Sequence, residues 1–249
     1  MNLQGRVALV TGGGKRVGRA IALALAARGA NVVVHYHHSQ SEARETTQAI
    51  SALGVDGQRI QADLSDPAEI NRMMFIVKDL VGPIDVLVNS ASAFQAKPVM
   101  ELSVEDWDAV MAVNLRAPFL LSQQSARLMQ EQGEGVIVNI ADIAGQVPWP
   151  RFPHHSVSKA GLIMLTRVLA KALAPTIRVN AVVPGPTLKP DGMPDERWET
   201  LGDVLPLRRT GSPENVAQAV LGLIENDFVT GAIWNVDGGD SLVGSVDLL

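Results

Sequence analysis

Cysteine is absent from the 249 residues. Disulfides, thiolate metal sites and cysteine nucleophiles are thereby excluded. Aromatic residues are scarce at 4%, so an aromatic beside a motif is worth singling out. Basic residues are in deficit: 21 Lys and Arg stand against 26 Asp and Glu, a formal net charge of −5. With no positive excess to neutralise phosphates, a nucleic-acid surface is disfavoured. No apolar run approaches the ~18 residues of a membrane span, so no membrane partner is expected. Met1 to Arg6 run straight into the first strand candidate. They leave no room for a signal peptide, and a cytoplasmic protein is expected. What is present is apolar content, 47%, ample for the core of one large α/β domain.

Short β-rich runs alternate with helical patterns. Strands are predicted at Val7 to Val10, Asn31 to His35, Gly57 to Gln61, Val86 to Asn89, Val136 to Ile140, Arg178 to Val183 and Ile233 to Val236. Continuous apolar runs such as Val86-Leu87-Val88 suit strands covered on both faces. Helices are predicted at about Arg16 to Arg28, Ser41 to Leu53, Pro67 to Leu80, Val104 to Gln130, Ser156 to Leu173 and Pro213 to Glu225. Asp66-Pro67 and Ser212-Pro213 each set a capping side chain before a first-turn proline. The alternation implies a single-domain, doubly wound parallel sheet of about seven strands, Rossmann-type, with helices on both faces across residues 1–249. The irregular stretch from Gly185 to Trp198 reads either as a surface loop or as a substrate lid, with a substrate loop expected at about 185–205.

Between the first strand and first helix stands Thr11-Gly12-Gly13-Gly14-Lys15-Arg16-Val17-Gly18. Glycines allow a tight turn and close approach to a pyrophosphate, and the helix start supplies N–H donors. The spacing is not G-x-G-x-x-G; Gly12, Gly14 and Gly18 are the ones that fit. The strand before and helix after favour dinucleotide binding. The second strand ends in His35-Tyr36-His37-His38-Ser39, without the acid that usually binds ribose hydroxyls for NAD. His37, His38 and Ser39, with Lys15 and Arg16, suit a 2′-phosphate and hence NADPH/NADP+; the alternative is a solvated polar strand end. No His, Asp or Glu spacing suggests a metal site.

These residues resemble the short-chain dehydrogenase/reductase family over essentially the whole chain. The matching landmarks are the T-G-x-x-x-x-x-G turn, Asp63-Leu64, Asn89-Ser90-Ala91-Ser92, Asn114, Lys159, Pro184-Gly185 and Asp237-Gly238-Gly239. Within the family the likeness is to pteridine reductases. Arg16 stands where most members have Gly. His35 to Ser39 match an H-Y-H-R-S stretch with His38 replacing the Arg. Phe94 follows the N-N-A-S segment, and Asp142 replaces the usual catalytic Ser. Asp191-Gly192-Met193-Pro194 and Trp198 match the substrate loop.

The resemblance implies cofactor contacts at Gly12, Lys15, Arg16, Val17, His37, His38, Ser39, Asp63, Leu64, Asn89, Ala91, Lys159, Pro184, Gly185 and Thr187. Substrate contacts are implied at Arg16, Ser92, Phe94, Asp142, His155 and Trp198. Catalytic roles fall on Asn114, Asp142, Lys159 and position 155. A homotetramer joined through the long helices is also implied. The departure is at position 155, four residues before Lys159, where the family has Tyr and this chain has His. An imidazolium is a competent acid near pH 6.5, a neutral imidazole a poor one. Three readings stand: His155 donates the proton, water or Asp142 delivers it, or the chain binds NADPH with little turnover and regulates or scaffolds. For the substrate, a pterin or dihydrofolate type is expected, with carbonyl or 3-oxoacyl reduction as the alternative.

Overall fold

Side chains alternate across a strand, so an apolar strand feeds two cores. Ala8 and Val10 enter one core and Leu9 the other; Val86 and Val88 part from Leu87, and Val136 and Val138 from Ile137, in the same way. The computed structural model describes residues 1–190 and 192–243; Asp191 of the expected substrate loop lies outside the described residues. Its strands are β1 (Val7–Val10), β2 (Asn31–Tyr36), β3 (Gly57–Gln61), β4 (Val86–Asn89), β5 (Gly135–Ile140), β6 (Ile177–Pro184) and β7 (Ile233–Val236). They form one parallel sheet in the order β3-β2-β1-β4-β5-β6-β7.

The helices are α1 (Arg16–Ala26), α2 (Gln40–Ala52), α3 (Pro67–Val81), α4 (Val104–Met111), α5 (Ala117–Gln132), α6 (Pro153–Leu173), α7 (Asp195–Val204), α8 (Pro213–Glu225) and α9 (Asp240–Val243). Helix α3 starts as its sequence dictates: Asp66 accepts the Ala68 N–H at 2.7 Å, ahead of Pro67. At α8 the Asn215 side chain accepts the Ser212 N–H at 3.0 Å. Ile21 and Leu25 of α1 pack with Val216 and Val220 of α8 on one face. Ile70 and Met73 of α3 pack with Leu121 and Met129 of α5 on the other.

Two expectations change. The single helix expected from Val104 to Gln130 is interrupted by a π-turn at Ala112–Arg116. Pro118 has no N–H for the Asn114 carbonyl, so an α-type bond is impossible there. The widened turn carries Asn114, which is fully buried. The stretch expected to be irregular from Gly185 to Trp198 contains the start of α7. Pro194 caps that helix, and Asp195 and Glu196 in its first turn suit the positive end of the helix dipole.

The chain leaves β1 toward β2 on one side and reaches β4 on the other. The loops beyond β1 and β4 therefore part at the carboxyl edge, the place where open α/β sheets bind ligands. Thr11 ties them together: its Oγ1 accepts the amides of Ser90 (2.9 Å) and Ala91 (3.0 Å).

Candidate active site

A cavity of ≈ 1220 Å3 opens at this edge. The glycines of the turn are there for want of space. A Cβ on Gly18 would stand 2.2 Å from the Gly12 carbonyl oxygen, and one on Gly14 would stand 3.1 Å from the Ala43 nitrogen. Gly12 has φ +63°. Helix α1 has no side-chain cap and no acid in its first turn, which leaves its amides to an anion at the cavity wall. A pyrophosphate fits that cradle. Arg16 has φ +54°, a left-handed conformation costing about 1–2 kcal/mol for a residue with a Cβ. Strain of that kind, kept at a cavity wall, marks a functional position.

His35 braces the turn from behind. Its Nδ1 accepts the Gly12 N–H at 3.1 Å, and its Nε2 lies 3.1 Å from the Ala62 carbonyl. The two partners require the neutral tautomer with hydrogen on Nε2. Burial pushes the pKa of His35 down to about 4, against a smaller upward pull from the Ala62 carbonyl. His37 and His38 face the cavity beyond it, with ring centroids 3.6 Å apart. Asp63 Oδ2 lies 4.0 Å from His37 Nε2. Lys15, Ser39 and Leu64 line the same end.

The other end holds His155 and Asp142. His155 is buried on α6, and its Nδ1 lies 3.4 Å from the Ala93 carbonyl. Asn114 is 3.3 Å from the same Nδ1, but its amide already donates to Ala93 O (3.0 Å) and Ser158 Oγ (3.1 Å). The carbonyl acceptor assigns a hydrogen to Nδ1, which leaves Nε2 as the ring nitrogen that faces Asp142. Among the described residues Nε2 has no hydrogen-bond partner; Asp142 Oδ2 is 3.6 Å away. Asp142 Oδ1 accepts the Ala144 N–H at 2.8 Å, which fixes the carboxylate at the end of β5. Lys159, one turn along α6, donates to the Ile140 carbonyl at 2.9 Å. Burial pushes its pKa down to about 8, opposed by the charge of Asp142. His154 points elsewhere, as its place on the helix requires: it is fully buried and is absent from the cavity wall.

Aromatic rings wall this end. Phe94 stacks on Phe152 with centroids 4.5 Å apart and meets His155 edge-on at 4.8 Å. Trp149 closes the group at 6.0 Å from Phe152. Trp198 of α7, Ser92 and Thr187 also line the cavity, as do Gly12, Arg16, Val17, Ala91, Pro184 and Gly185. Asn89 and Asn114 do not; they stand behind the wall. Asn89 donates to Asn139 Oδ1 at 2.8 Å, and Asn114 clamps Ala93 by also accepting its N–H at 2.7 Å. Reasoning from the sequence missed Trp149, Phe152 and Asp240, and it read Thr11 and His35 only as parts of their motifs. The aromatic pair had a signal, since Trp149 and Phe152 fall between Asp142 and His155 in an aromatic-poor chain. Among the described residues, no group of three or more His, Asp or Glu could hold a metal ion, and no helix is long and apolar enough to cross a membrane.

The profile of a family described as enoyl-(acyl carrier protein) reductase matches residues 14–241. A 3-oxoacyl-[acyl-carrier-protein] reductase of Synechocystis sp. is 37% identical over 95% of this chain and 97% of its own length. The structure of FolM alternative dihydrofolate reductase 1 from Brucella suis, in complex with NADP, superposes with a TM-score of 0.91. It is 36% identical and covers 99% of this chain and 98% of its own. A blue fluorescent protein from a metagenomic library, in complex with NADPH, gives a TM-score of 0.87 at 36% identity, covering 96% and 99%. The chain therefore belongs to the short-chain dehydrogenase/reductase family, as an oxidoreductase that uses a nicotinamide dinucleotide.

Proposed function

We propose that the protein is an NADPH-dependent reductase of a pterin or dihydrofolate-type substrate, in which the His155–Asp142 pair supplies the proton. The observation that carries this reading is His155 Nε2: buried, unpartnered and 3.6 Å from a carboxylate that reaches the cavity. When bound, the nicotinamide supplies a hydride. The glycine turn and α1 start hold the pyrophosphate, and Lys15, Arg16, His37, His38 and Ser39 hold the 2′-phosphate. Val17, Asp63, Leu64, Asn89, Ala91, Lys159, Pro184, Gly185 and Thr187 complete the cofactor's surroundings, Asn89 from behind the wall. Phe94 offers its face to a flat ring, with Arg16, Ser92 and Trp198 around it.

His155 keeps its Nδ1 hydrogen on Ala93, and its protonated Nε2 gives up a proton beside Asp142. Asn114 steadies the Ala93 carbonyl. The bound cofactor would supply the hydride for the carbon of a C=N bond, and His155 Nε2 would supply the proton for its nitrogen. Work in the cytoplasm and a homotetramer joined through the long helices complete the proposal.

The Synechocystis relative favours a second reading, reduction of a 3-oxoacyl thioester. NADPH oxidation with dihydrobiopterin, dihydrofolate and an acetoacetyl thioester separates the two. Turnover of a pterin at a higher kcat/KM than the thioester is expected. The reverse order overturns the first reading, and tight NADPH binding with no turnover makes the chain a non-catalytic relative with a regulatory or scaffolding role.

A further inference from the structure

Beyond the residues the family resemblance singles out, a third carboxyl group faces the substrate end. Asp142, Asp237 and Asp240 come together where β5, β7 and α9 meet. Asp237 is fully occupied: Oδ1 accepts the Gly239 N–H (3.0 Å), and Oδ2 accepts the Ser241 N–H (3.0 Å) and hydroxyl (2.6 Å). Asp142 has Ala144 on one oxygen and His155 facing the other. Asp240 differs. It lines the cavity, is only 8% exposed, and no donor reaches its carboxyl group among the described residues. A buried carboxylate without donors is costly, on the order of 1–3 kcal/mol or more. Burial, then the negative charges of Asp237 and Asp142, push its pKa up. His155, 2% exposed and with its Nε2 unpartnered among the described residues, borders the same space. Protein interiors satisfy such groups, and a ligand rich in N–H donors would supply what the described residues do not.

We propose that Asp240 is a substrate-recognition residue whose carboxylate receives the paired N–H groups of a cyclic amidine or guanidine. The proposal rests on the pterin reading above and deepens it, because a 2-aminopyrimidine edge is such a group. A carboxylate takes two parallel N–H bonds, and the match is stronger when the ring is cationic. The reacting end of a 3-oxoacyl thioester has no N–H to offer. Asp240 thus selects for the aminopyrimidine and against the thioester.

The test is binding of 2,4-diaminopteridine to the full chain saturated with NADPH, read by quenching of tryptophan emission. Trp149 and Trp198 line the cavity and report on it. Asp240→Asn keeps the shape and removes the charge. It is expected to weaken diaminopteridine at least tenfold while NADPH affinity stays within twofold, and Asp240→Glu should recover part of the loss. Equal diaminopteridine affinity in wild type and Asp240→Asn overturns the proposal. So does a wild type that does not bind the probe, or an Asp240→Asn variant that loses NADPH to the same extent. The substrate assay separates this from the parent reading. Thioester turnover without pterin turnover, combined with probe binding that depends on Asp240, sinks the pterin reading and leaves Asp240 as an amidine site. Pterin turnover unchanged in Asp240→Asn does the opposite.

Discussion

Lys159 is held where its charge is expensive. It is buried, one carbonyl accepts from it, and its pKa is pushed down to about 8 from an ordinary 10.5. In the unfolded chain the lysine keeps its proton up to the ordinary value. The stability available above pH 10.5 is therefore lost as pH falls to about 8, and the full penalty applies at neutrality. Lys159→Met removes the ammonium and keeps the length. Its thermal midpoint at pH 7 should rise by several degrees while NADPH turnover collapses. A lower midpoint would mean that the ammonium stabilises the empty protein. Arg16 makes a similar bargain in backbone form, holding a left-handed φ at the cavity wall. Both residues were legible as candidates from their motifs, and both line the cavity. Their cost was not, because burial and φ belong to the folded chain.

At the scale of elements, the sheet was legible nearly to the residue. Its strands are short β-rich runs between turn signals, and period and composition agree. The site was legible where a motif sits at a strand end, as at Thr11 to Gly18 and Asp142. It was not legible where contacts come from distant elements. Three histidines crowd the end of β2 and border the cavity, and only packing reveals that His35 also ties the turn beyond β1 to the residue after β3. Helix α7 was hidden by the Pro and Gly residues just before it, and the π-turn by an otherwise continuous helical pattern. His35 carries a measurable consequence. Its folded pKa of about 4 lies below the ordinary 6.5, so stability present above pH 6.5 is lost as pH falls toward 4. The loss is about 3 kcal/mol. Urea midpoints between pH 7 and 4.5 should fall less steeply in His35→Asn than in wild type. Parallel curves would show that His35 does not carry this acid sensitivity.

At the scale of the whole molecule, α4, the π-turn, α5 and α6 share an open apolar groove of ≈ 830 Å3, lined by Met111, Leu115, Phe119, Met164 and Val168 among others. Phe119, Met164 and Val168 are 41%, 56% and 55% exposed. Apolar patches of this kind on a folded chain mark association. If the proposed homotetramer is joined here, Met164→Glu with Val168→Glu reduces the mass measured by light scattering to that of a smaller species, and an unchanged mass contradicts assembly through this groove. His155 faces Asp142 at the substrate end of the cavity, and its proposed role is that of proton donor. The most direct test is the pH dependence of kcat/KM for NADPH oxidation with dihydrobiopterin, in wild type and His155→Ala, between pH 5 and 8. If an imidazolium is the acid, the rate rises as pH falls, and His155→Ala loses both the rate and the slope. A flat wild-type profile with equal activity in His155→Ala would contradict the account.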